Sequence, residues 1–207
     1  MIFKENDVVL FQGDSITDCG RNYEDSSSLG FGYPLMVASR LGHLFPEKNL
    51  VFVNRGISGN RAIDLKNRWD RDCLDLKPTW VSILIGINDT WRGFDSNDVT
   101  TAEQFEASYR NILERTKERL DAKLILLEPF VLPIPEDRKQ WRADLDPKIA
   151  IVRELAREFE AILVPLDGLF AAASAKAEPA YWAPDGVHPS AAGHGLIADA
   201  WIRAAGV

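Results

Sequence analysis

At 207 residues, 46% apolar and 27% charged, the chain has the size and balance of a globular protein built on one sizeable core. Its formal net charge of -7 excludes a protein whose affinity rests on a polyanion, because nucleic-acid binding needs a basic stripe that displaces counterions. The residues Met1 to Asp7 place acids where a signal peptide needs a basic region and an apolar run, and no stretch approaches a membrane span, so a cytoplasmic protein with neither nucleic-acid nor membrane partners is expected.

Taken in chain order, the apolar run at 8–11 is flanked by polar residues and reads as a buried strand. It leads into Gly13-Asp14-Ser15-Ile16-Thr17, and the helix that follows ends near His43. A second strand at 50–53 leads into Asn54-Arg55-Gly56-Ile57-Ser58-Gly59-Asn60, and then into a helical stripe of Ala62, Leu65, Trp69, Cys73 and Leu76. The third, at 81–85, leads into Gly86-Ile87-Asn88-Asp89. Beyond it comes the clearest helical stripe, Phe105, Tyr109, Ile112, Leu113, Thr116 and Leu120. A fourth strand at 124–127 precedes a stripe of Leu145, Ile149, Val152, Ala156 and Phe159. A fifth at 161–164 precedes Leu166-Asp167-Gly168, where Asp167 reads as a helix cap. The last loop, Asp185-Gly186-Val187-His188-Pro189, opens a helix capped by Ser190 with Leu196, Ile197, Ala200 and Trp201 facing inward.

Strand and helix alternate throughout, which implies parallel strands joined by right-handed crossovers. The expected architecture is α/β, a three-layer α/β/α sandwich around a five-stranded parallel sheet, in a single domain over 1–207 with ligands gathering at the carboxyl ends of the strands.

Each loop at that end has an ordinary structural reading by itself. Gly13-Asp14-Ser15 can be a turn whose Asp or Ser caps the next helix, Gly56 and Gly59 can supply positive φ, Asn88 and Asp89 are good turn formers, and a histidine before proline commonly lies on a surface. Together the loops supply the parts of one mechanism. A serine hydroxyl is a poor nucleophile until a base removes its proton; His188 is that base, and Asp185, three residues earlier, orients and stabilises its imidazole. The backbone N–H groups of Ser15 and Gly59 and the side-chain amide of Asn88 form the oxyanion hole, each donor worth roughly two to four kcal/mol when preorganised.

Rivals are weaker. Ser58 lacks the second glycine of a G-x-S-x-G elbow. Cys19 and Cys73 stand far apart with no metal-type spacing, and no neighbour in sequence supplies Cys19 with a base. Of the three histidines, His43 ends the first helix and His194 lies inside the last one, so neither is placed as base. No metal or cofactor is expected, because no carboxylate-rich cluster and no phosphate-cradling glycine motif is present. Trp91 and Trp182 stand near the active loops and are the candidate walls for a sugar ring or an acyl group, beside the equal alternative of core filling. The polar segment 21–29 reads either as a cover for the site or as a subunit contact.

The four blocks, Ser15 in GDSIT, Gly59 in NRGISGN, Asn88 in GIND and His188 in DGVHP, resemble those of the GDSL or SGNH hydrolase family, in the family's order. Ile16 stands where the family name has Leu, a swap of apolar residues. The resemblance implies a flavodoxin-like sheet and a serine hydrolase. The longer phrases GDSITDCGR, WVSILIGINDTWR and HPSAAGH are similar to those of the family's intracellular acetylxylan esterases. That similarity implies a small-molecule ester substrate, an acetylated xylo-oligosaccharide or related sugar, and self-association into a homo-oligomer. The alternatives are a lysophospholipase, a thioesterase or a general short-chain carboxylesterase with the same triad, or a catalytically silent scaffold used for binding.

Overall fold

The computed structural model describes residues 3–207. Strands β1 (Val8–Gly13), β2 (Val51–Asn54), β3 (Trp80–Leu84), β4 (Lys123–Leu127) and β5 (Ile162–Val164) pair in parallel, in the order β2-β1-β3-β4-β5. This is the flavodoxin-like order, in which the chain winds outward in one direction from β1 and in the other from β3. The crevice at that reversal opens where β1 and β3 end side by side, with Gly13 opposite Leu84.

The alternation of side chains along each strand divides the core into two layers. Val9 and Phe11 face one cluster with Tyr33, Val37 and Leu41 from α2 (Tyr33–Leu44) and Ile197 and Trp201 from α9 (Ala191–Ala204). Leu10, between them, faces the opposite cluster with Leu65 and Trp69 from α3 (Ala62–Asp72) and Tyr109, Ile112 and Leu113 from α5 (Ala102–Arg119). The expected helical stripes are therefore the buried faces of these helices, and α6 (Arg142–Glu158) buries Leu145, Ile149 and Val152 in the same way. Local chemistry sets the starts. Thr101 Oγ accepts the Gln104 N–H at 3.2 Å while the Gln104 side chain accepts the Thr101 N–H at 3.0 Å, a reciprocal cap for α5.

Short helices fill the loops at the carboxyl edge: α1 (Ser15–Asp18), α4 (Ile87–Asp95), α7 (Leu166–Ser174) and α8 (Pro179–Trp182). Asn88 lies in the first turn of α4, where Gly86 at φ +132° turns the chain sharply out of β3. One local expectation changes. Asp167 caps nothing: it sits inside the first turn of α7 and receives both ends of the Arg142 guanidinium, at 2.6 and 3.0 Å. No helix among the described residues is long and apolar enough to cross a membrane.

Candidate active site

The nucleophile candidate sits where β1 hands over to α1. Asp14 is the N-cap, its Oδ1 accepting the Ile16 N–H at 3.0 Å, so the capping reading of Gly13-Asp14-Ser15 holds, and it does not use the Ser15 hydroxyl. Ser15 itself remains partly exposed while Asp14 beneath it is buried. Its second carboxylate oxygen, Oδ2, has no hydrogen-bond partner. Burial pushes the Asp14 carboxyl up to about 7, against the opposing pull of the Ile16 N–H and of His188.

Ser15 Oγ lies 2.9 Å from His188 Nε2, and His188 Nδ1 lies 2.6 Å from Asp185 Oδ2. The carboxylate accepts, so Nδ1 carries the proton and Nε2 turns its lone pair to the serine hydroxyl. The other oxygen, Asp185 Oδ1, accepts the N–H groups of Val187 and His188 at 3.0 and 2.7 Å. Burial alone would raise the Asp185 carboxyl, but the hydrogen bonds from His188 and Val187 outweigh it and hold the group below the usual carboxylate range. The loop is pinned from outside as well. Leu132 N–H donates to Gly186 O at 2.8 Å, and Ser190 N–H donates to Trp182 O at 2.8 Å. At Gly186, φ is +83° and a Cβ would fall 2.1 Å from Ile134 O, so only glycine fits there.

The expected oxyanion donors come from three neighbouring loops. Asn88 Nδ2 donates one proton to Asn60 O at 3.1 Å, which leaves its second amide proton uncommitted and ties β3's loop to β2's. Gly59 has the expected positive φ, +80°. Gly56 does not; its glycine is required by close approach, since a Cβ would lie 2.4 Å from Asp18 N. Asp89, buried beside Asn88, accepts the Ala62 N–H at 3.1 Å, and burial pushes its carboxyl up to about 7 against that bond and the charge of Lys148.

Of the two candidate walls, Trp91 stands at the triad, its ring centroid 5.8 Å from that of His188. Trp182 packs against the main core cluster and edge-on to Tyr181. Sequence reading missed Arg138, whose guanidinium lies over the rings of Trp91 and Trp141 at 5.0 and 4.0 Å. It also missed the partner of Cys19: α9 brings His194 Nε2 to 3.4 Å from its sulfur. His194 is no base for that thiol. Its Nδ1 accepts the Tyr33 N–H at 3.1 Å, so Nε2 holds the proton, and burial drives the imidazole pKa down to about 4.

The GDSL-like lipase/acylhydrolase family model matches residues 11–196. An acetylxylan esterase of Geobacillus stearothermophilus is 37% identical over 206 residues, spanning 96% of this chain and 93% of that protein. The thioesterase 1/protease 1/lysophospholipase L1 of Escherichia coli is 28% identical over 196 residues, covering 95% of this chain and 81% of that protein. In crystal structures, Axe2, an acetylxylan esterase of Geobacillus stearothermophilus, superposes with a TM-score of 0.90 at 36% identity over 100% of this chain and 97% of that chain. Axe2 has also been solved as catalytic mutants in which a serine or a histidine is replaced by alanine. The match over most of its length, the shared sheet and the level of identity place this chain in the GDSL-like lipase/acylhydrolase family, as a carboxylic ester hydrolase acting on a small-molecule ester.

Proposed function

We propose that the protein is a serine esterase of the SGNH type that removes acetyl groups from xylo-oligosaccharides or closely related sugars. The observation that carries this reading is the unbroken line from Ser15 Oγ through His188 to Asp185, at 2.9 and 2.6 Å. In the reaction, the Ser15 hydroxyl gives its proton to His188 Nε2 as Oγ attacks the ester carbonyl, and Asp185 stabilises the imidazolium. The oxyanion is received by the Ser15 and Gly59 N–H groups and the free amide proton of Asn88. His188 returns the proton to the departing sugar hydroxyl, leaving an acetyl-enzyme. A water molecule, deprotonated by the same imidazole, then attacks the carbonyl carbon of the acetyl-enzyme; the bond to Oγ breaks, His188 returns the proton to Oγ, and acetate leaves.

The sugar assignment draws on likeness to the acetylxylan esterases and on the site's mouth, where Trp91 offers a flat apolar face backed by Arg138. Self-association into a homo-oligomer belongs to the same reading. The experiment is a substrate screen of acetylated xylo-oligosaccharides, glucose pentaacetate and p-nitrophenyl esters from acetyl to octanoyl. The acetylated xylo-oligosaccharides are expected to show the highest kcat/KM. Preference for octanoyl esters would favour a thioesterase or lysophospholipase activity like that named for the Escherichia coli relative.

A further inference from the structure

The largely exposed segment after α1 is tied back to α1 and to the loop after β2. Asp18, the last residue of α1 and 5% exposed, gathers donors from three places. Its Oδ1 accepts the Arg21 N–H at 3.2 Å, and its Oδ2 accepts both the Ser58 N–H at 3.1 Å and the Tyr23 hydroxyl. Arg21 turns back in the other direction: its Nε donates to Gly56 O at 2.8 Å and its guanidinium lies 4.2 Å over the Tyr23 ring. The contacts make a closed ring, Asp18 to Ser58, along the chain to Gly56, across to Arg21, over Tyr23 and back to Asp18. Asn54 reinforces it, its amide donating to Thr17 O at 2.7 Å and Leu29 O at 2.9 Å while its oxygen accepts the Gly56 N–H at 2.8 Å.

We infer that Asp18 is a positioning residue for the oxyanion hole, acting directly on the turn at Ser58, and that Arg21 and Tyr23 of segment 21–29 brace it. The Ser58–Gly59 peptide is the centre of a turn that the Asn60 N–H closes onto Ile57 O at 3.2 Å, and the bond from Ser58 N–H to Asp18 fixes the peptide plane from which that turn sets out. Asp18 holds the Ser58 nitrogen, and the Gly56 end of the same turn is held by Arg21 and Asn54. Without Asp18 the turn, with glycine on both sides of Ile57-Ser58, keeps its own closure and the bond from Ile57 N–H to Gly13 O at 3.1 Å but can rock about them, and a donor that must reorganise during the reaction loses most of its effect on the transition state. Asp18 lies three residues from Ser15 in a one-turn helix, so nucleophile and donor are set from the same short piece of backbone. The inference rests on the proposed role of the Gly59 N–H, and the experiment separates the two.

Asp18→Ala, Asp18→Asn and Tyr23→Phe are compared with the parent for kcat and KM on p-nitrophenyl acetate, per active site titrated with a serine-directed organophosphonate. Inhibition by methylboronic acid is measured alongside, because its serine adduct puts an oxygen where the oxyanion forms. Both Asp18 variants are expected to lose about 10- to 100-fold in kcat with KM within about twofold, and to bind the boronate more weakly by a similar factor. Asparagine offers one accepting oxygen and cannot serve all three donors, so it does not rescue. Tyr23→Phe removes one hydroxyl, keeps the ring under Arg21, and is expected to lose about three- to tenfold; it decides the matter if the Asp18 variants do not fold. Parent-like kcat per titrated site, or an unchanged boronate Ki, overturns the inference. An active Ser15→Ala, or a parent indifferent to boronate, overturns the serine mechanism and with it the role assigned to Asp18.

Discussion

The ring of Trp91 lies 5.8 Å from the imidazole of His188, tilted to it by 52°. Trp91 is held in turn by Trp141 at 5.2 Å, and Phe94, one turn further along α4, stacks on the same Trp141 ring at 5.5 Å, so the wall beside His188 belongs to a cluster of three rings. Trp91→Ala removes both the apolar face and the lateral support of the imidazole. Steady-state kinetics should show KM for an acetylated xylo-oligosaccharide rising about 10-fold or more, with a smaller rise for p-nitrophenyl acetate. Equal changes on both substrates would reduce Trp91 to a support for His188.

Asp185→Asn keeps an oxygen for the Val187 and His188 N–H groups but presents an amide to Nδ1, which then has no acceptor for its proton and turns to the wrong tautomer. A loss of about 10⁴-fold in kcat is expected, with the fold intact by circular dichroism.

Asn88→Ala takes away a donor and also unties Asn60. A fall of about 10²- to 10³-fold in kcat is expected, with KM little changed. A change of only a few fold would remove Asn88 from the oxyanion hole.

Stability should depend on pH in a definite direction. Asp14 and Asp89 have ordinary values of 3.8 and are pushed up to about 7 in the fold. Below 3.8 both states of the chain hold these protons; between there and 7 only the folded state does, so stability is lost as pH rises, by about 1.4 kcal/mol per pH unit for each carboxyl. His194 has the opposite sign. Held down from 6.5 to about 4, it contributes stability that is present above 6.5 and lost as pH falls toward 4. Urea unfolding at pH 5, 6 and 7 should therefore show declining stability, a shallower decline for Asp89→Asn and a steeper one for His194→Gln. A parent whose stability climbs from pH 5 to 7 would show that the two carboxyls are ionised in the folded protein.

Much of this site was legible because the proposed catalytic groups belong to short loop phrases at one edge of the sheet, and strand runs of apolar residues are local signals. Ser15, Gly59, Asn88 and His188 could be assembled from four such phrases once the alternation of strand and helix set their common edge. What escaped was held together across the chain. His194 reaches Cys19 across 175 residues because α9 packs on α2, and Asp18 reaches Ser58 across 40. Arg138 crosses Trp91 from a short 3-10 helix, Glu136–Trp141, whose sequence carries no clear period, and the burial that perturbs Asp14 depends on every layer around it. A residue's neighbours in space set these properties, and no pattern along the chain announces them.

The turn from Asp185 to His188 closes on itself through three hydrogen bonds to one carboxylate. His188 and Asp185 therefore travel as a single rigid part, and no motion of the loop can separate them without breaking that turn. Ser15 belongs to a different part, built on β1 and braced against β2's loop. The two meet where Ser15 lies 2.9 Å from His188, and α9 ties them a second time where His194 reaches Cys19 at 3.4 Å. On the proposed mechanism, whatever widens the first contact, whether strain, a bound molecule or heat, would silence the enzyme while leaving both parts intact.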